Sequence, residues 1–160
     1  MSKRITTSAL LLGVALVLGY IEAIFFQLPA LPGVKLGLAN IAVLLALYRL
    51  GNREALALSL LKTILTALLF GNAVGMLYGL LGSILSWFGM SAGRKVFGIA
   101  GVSVIGGVLH NLGQLTVACI LTASTAPLYY LPLLLVGGTG FGLLTALCAA
   151  GVLRILNKKK

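Results

Sequence analysis

The chain has 160 residues, 60% of them hydrophobic and 9% charged, with 12 Lys and Arg against 2 Asp and Glu. This balance excludes a soluble globular protein. The net charge of +10 does not mark a nucleic-acid binder, because the basic residues sit in short clusters at the ends of apolar runs, where charge sets membrane topology.

The first apolar run, a predicted helix over residues 7–27, follows Lys3 and Arg4. It resembles a signal peptide, but it is long and lacks a small-x-small cleavage site, so it reads as a retained first helix. Ala15, Gly19 and Glu22 share one of its faces, and Ala9 and Gly13 form a small-xxx-small pair in its first half. The string PGVKLGLAN at 32–40 follows. It opens a second helix over 36–50, short for a full crossing and expected to start below the outer surface. A third helix over 53–70 carries Ser59, Lys62, Thr63 and Thr66 on one face. The fourth, over 72–87, begins at Asn72 and bears a strip of Gly71, Gly75, Gly79 and Gly82. Residues 89–93 read as a glycine-bounded loop. The fifth helix, over 96–121, aligns Ser103, Gly107, His110 and Gln114, and the sixth covers 129–156. The sum is an all-α integral membrane protein, a single domain over 1–160 with six transmembrane helices. Cys119 and Cys148 are isolated in apolar runs, and no metal or cofactor spacing accompanies them.

Charge tests this count. With the N-terminus in the cytoplasm, the inside segments hold Lys3 and Arg4, Arg49 and Arg53, Arg94 and Lys95, then Arg154 and the lysines at 158–160. The outside segments around Gly71 and residues 122–128 hold none. Six spans with both termini cytoplasmic is the count that makes every other loop basic.

The intramembrane polar residues then fall in the central and outer zones. Polar side chains in lipid are costly, so the stripes on the first, third and fifth helices are expected to face one another. The predicted result is an outward-facing, substrate-binding cavity lined by Glu22, Lys35, Asn40, Lys62, His110, Asn111 and Gln114. Lys35 and Lys62 outweigh Glu22, which favours an anionic or amphipathic solute, with backbone amides beside Lys35 joining in at a helix start. The bland alternatives stand beside this. Glu22 and Lys62 as a structural ion pair, Lys35 snorkelling to the surface, and His110, Asn111 and Gln114 bonding between helices explain the same residues without a ligand.

PGVKLGLAN at 32–40, LLFGN at 68–72, GGVLHNLGQL at 106–115 and YYLPLLLVGGTGFGLLTAL at 129–147 together resemble the Gx transporter family, many of whose members carry the name heptaprenyl diphosphate synthase component I. That family is similar to the S components of energy-coupling factor (ECF) transporters. The resemblance implies a six-helix bundle in a bacterial cell membrane with a pocket opening outward. It also implies partners: a transmembrane coupling (T) protein driven by ATPase subunits, against which the S component topples to release its cargo. S components carry an AxxxA motif on the first helix for that contact. Ala9 matches its first position and Gly13 replaces the second alanine. Lys62 is a position where relatives are expected to carry lysine or arginine.

Composition argues against catalysis. Prenyl-chain synthases clamp magnesium diphosphate with aspartate-rich motifs such as DDxxD, and the two acids here are Glu22 and Glu54, at opposite ends of their helices. There is no Walker A motif, so ATP hydrolysis falls to partners. The reading is a non-enzymatic substrate-binding subunit. Its alternative is a non-catalytic membrane component I of heptaprenyl diphosphate synthase. A channel is disfavoured, since the inner half carries no polar path.

Overall fold

The computed structural model describes residues 2–25 and 37–158 of the chain. It is an all-helical bundle of α1 (Ser2–Phe25), α2 (Asn40–Arg49), α3 (Asn52–Phe70), α4 (Ala73–Gly93), α5 (Ile99–Thr122) and α6 (Leu131–Lys158). A short 3-10 turn, Ala126–Tyr130, precedes α6.

Local chemistry sets several boundaries. Gly37 takes φ +75°, open to glycine at little cost, and its carbonyl accepts the Asn40 N–H at 2.8 Å to start α2. Gly51, at φ +124°, closes α2 by donating its N–H to the Ala46 carbonyl, and α3 begins at the next residue. The Asn72 side chain accepts the Gly75 N–H at 2.7 Å and caps α4.

Among the described residues, four segments are long and apolar enough to cross a bilayer: Lys3–Glu22, Ala73–Gly93, Ile99–Thr122 and Ala126–Lys158. Of the six expected spans, length and composition thus support four, and α2 and α3 fall short of those criteria. α2 has 10 residues, roughly 15 Å at the helical rise, half the hydrocarbon thickness. α3 is long enough but carries Arg53, Glu54 and Lys62 within its 19 residues. α4 also runs through the expected loop at 89–93. A side chain at Gly89 would strike Leu109 and Ile105 of α5, so this glycine serves close packing and not a break.

Direction alternates along the chain, and pairs at one end show it. Arg4 meets Glu54 at 3.5 Å, Arg49 donates to Asn157 at 2.9 Å, the Trp87 indole N–H donates to the Asn52 carbonyl at 2.8 Å, and Arg94 lies over the Tyr48 ring at 5.2 Å. This terminal end gathers the starts of α1 and α3 with the ends of α2, α4 and α6, and with them the described basic residues other than Lys62. At the opposite end the rings of Tyr20 and Phe70 meet at 4.8 Å.

α2 packs on α3 and α6, which α4 and α5 join into a closed ring, while α1 lies against α2 and α3. Ala42, Val43, Leu44, Leu45, Ala46 and Leu47 of α2 are all buried. They form the core with Ala55, Leu58, Met90, Val102 and Ala149. So short a helix fills only part of the bundle's length, and it begins beside the buried polar residues.

Candidate functional site

The site starts at the Gly37 turn. Its N–H donates to Glu22 Oε1 at 2.8 Å, tying α1 to the entry of α2. Three residues on, Asn40 Oδ1 accepts from Lys62 Nζ of α3 at 2.5 Å. Glu22 and Lys62 are each 7% exposed. Gly19, one turn before Glu22, lies over the Thr66 side chain, which lets α1 and α3 close beside this cluster. Three of the seven expected residues, Glu22, Asn40 and Lys62, thus meet around one backbone turn. The N–H expected to serve an anionic ligand is, at Gly37, occupied by the Glu22 carboxylate. Lys35 lies outside the described residues.

The next residue along α3 continues the polar layer. Thr63 Oγ1 donates to the Ser59 carbonyl and shares a 2.8 Å hydrogen bond with Ser83 Oγ of α4, which is buried. Ser83 escaped the sequence reading. The signal available was its place four residues after Gly79, on the strip that approaches α3.

His110 sits across α4 from this pair. A methyl on Gly82 would stand 2.8 Å from the His110 carbonyl oxygen and 2.9 Å from its Nδ1, so the imidazole and its backbone lie directly on that glycine. The strip on α4 therefore splits its work: Gly79 admits Thr63 of α3, and Gly82 admits His110 and Gly113 of α5. Gln114 Nε2 lies 3.2 Å from His110 Nε2, and Gln114 is 4% exposed. Its Oε1 has no hydrogen-bond partner among the described residues.

Asn111 turns away from this group. It is buried, its Nδ2 donates to the Leu134 carbonyl of α6 at 2.8 Å, and it stands beside the close approach of Gly107 to Gly138. It holds two helices together. The described layer thus has two groups, Glu22–Asn40–Lys62 and His110–Gln114, separated by the Thr63–Ser83 bridge. α4 and α5 contribute no Asp, Glu, Lys or Arg to it.

Ala9 and Gly13 lie on the exposed face of α1, and nothing comes within 4 Å of a side chain built at Gly13. Leu10 and Val17 beside them are 68% and 60% exposed. This face is apolar, small at its centre and uncovered by the other described residues.

Among curated proteins none matches the chain. A solved structure, the S component of a bacterial ECF transporter, is similar at 22% identity over 99% of this chain and 95% of that one, with a TM-score of 0.58. At that identity the likeness establishes the fold, a helical bundle of the S-component kind. The family model for heptaprenyl diphosphate synthase component I matches residues 11–152. A match running from α1 to the last third of α6 takes in Glu22, Asn40, Lys62, His110 and Gln114, and on it the chain belongs to the heptaprenyl diphosphate synthase component I family.

Proposed function

We propose that this protein is a non-catalytic, membrane-embedded binding subunit that captures a small amphipathic or anionic solute in an outward-facing pocket, as the S component of an ECF-type transporter does. The observation that carries the reading is the convergence of Glu22, Asn40 and Lys62 on the turn where α2 begins. Buried charged side chains such as Glu22 and Lys62 are expensive inside a bilayer and are kept where they serve a site. The core around α2 supports a pocket closed towards the terminal end, which suits capture and not conduction. The basic terminal end supports cytoplasmic termini in a bacterial membrane. The exposed Ala9–Gly13 face supports docking of a coupling (T) protein, with ATPase subunits behind it. Lys35 joins the proposed site from the segment before Gly37.

The family match favours a second reading, a membrane component of heptaprenyl diphosphate synthesis that binds without catalysing. On the comparisons alone this second reading stands better, because the likeness to the S component carries fold and no activity. The polar layer ranks the first above it.

Affinity purification from native membranes separates the two. A coupling-factor ATPase recovered with the chain supports the transport subunit, and a soluble prenyl synthase supports the second reading. Native mass spectrometry of the purified protein then tests the site. A bound solute lost in Lys62→Ala supports it, and a solute retained undiminished in that variant overturns it.

A further inference from the structure

We propose that Gln114 recognises the solute directly, its amide oxygen accepting a hydrogen bond from an uncharged O–H or N–H group such as a phenol or a ring N–H. This rests on the binding-subunit reading and names the chemistry at one pole of the pocket.

The first observation is the buried acceptor itself. Gln114 is 4% exposed, and its Oε1 has no partner among the described residues. A buried carbonyl without a donor is costly, and natural structures keep such a group where a ligand or water completes it.

The second is that the amide is anchored at its nitrogen and its turn of α5 is held by neighbours. Its Nε2 is engaged at 3.2 Å by His110 Nε2, the His110 ring rests on Gly82, and Gly113 backs onto the Gly82 backbone. On the other flank Asn111 ties the same turn of α5 to the Leu134 carbonyl of α6. A side chain fixed by its neighbours loses little freedom on binding, which is how recognition groups are built.

The third is charge. α4 and α5 carry no Asp, Glu, Lys or Arg, and the basic residues of α6, Arg154 and Lys158, lie towards the terminal end. An ammonium donating to Gln114 would be buried without a counter-charge, so the donor is neutral. Lys62 and Asn40 lie across the Thr63–Ser83 bridge and meet the opposite pole of the solute.

The test uses the full chain in lipid nanodiscs with phenol and its methyl ether, anisole, as probes. A site built to accept a donor rejects the analogue that lacks one. Saturation-transfer NMR should show phenol binding at least tenfold tighter than anisole, and Gln114→Met should erase the ratio. Should the variant fold poorly, the unsubstituted protein still decides. With carbon-13-labelled glutamine, of which the chain has only Gln27 and Gln114, a side-chain carbonyl stretch should fall on adding phenol and stay fixed with anisole. Equal binding, a preference for anisole, no binding of either probe, or a stretch that phenol leaves unmoved overturns the proposal. A copurified solute lost in Lys62→Ala but kept in Gln114→Met would end this inference and leave the binding subunit standing.

Discussion

Lys62 Nζ reaches Asn40 Oδ1 at 2.5 Å, joining the middle of α3 to the first residue of α2. Neither residue is near the other in sequence, and the pairing depends on α2 beginning where it does. Replacing Lys62 with alanine leaves the Asn40 oxygen without this donor and removes one of the two ammonium groups of the proposed site. The expected outcome is at least a tenfold loss of retained solute, read by native mass spectrometry, with Lys62→Arg retaining most of it because the charge survives.

Gly37 holds the turn that presents both Asn40 and the N–H bound by Glu22. At φ +75° a side chain is disfavoured by about 1–2 kcal/mol. A Cβ there would also stand 3.2 Å from Asn40 Nδ2. Gly37→Ala should lower the thermal midpoint in detergent and weaken solute retention together. A variant with unchanged stability and unchanged retention would contradict the geometry.

Gly82 is the contact point of α4 with His110 and Gly113. A methyl group there collides with backbone, which cannot swing aside as a side-chain tip can. Gly82→Ala should destabilise the bundle by about 1–3 kcal/mol, the usual cost of overpacking, measurable as a lower unfolding midpoint.

Asn111 serves as the control for the site. Asn111→Ala removes one bond from α5 to α6, worth about 0.6 kcal/mol and up to about 1.7 in membrane bundles. Stability should fall by that order while solute retention holds. Loss of retention with little loss of stability would move Asn111 into the site.

Gly13 offers the reverse case. With open space around it, Gly13→Trp should change stability by less than about 0.5 kcal/mol. Copurification of the proposed coupling partner should fall sharply, and binding of the proposed solute in detergent should persist. Equal loss of binding and copurification would argue against a docking face.

The long helices were legible because a run of apolar residues needs only length to announce itself. α4, α5 and α6 follow their hydrophobic stretches to within a few residues, apart from the α4 end. There Gly89 reads as a breaker by composition, yet its missing side chain is what admits Leu109 and Ile105. The start of α2 at Asn40 was hidden for a related reason. It is fixed by the backbone of Gly37 and by a carboxylate fifteen residues earlier, and no local pattern encodes that partnership. The stripe on α5 was readable, but the different work of Asn111 and Gln114 was not. Three residues apart, one spends its amide on the Leu134 carbonyl, and the other's oxygen has no partner among the described residues. That depends on which neighbouring helix each one meets.

The shortness of α2 has a consequence for traffic. Its buried run from Ala42 to Leu47 sits like a cork in the terminal half of the bundle, gripped by α1, α3 and α6. For the solute proposed to bind beside Lys62, this cork closes the straight route to the terminal side, so passage that way requires the helices gripping it to part.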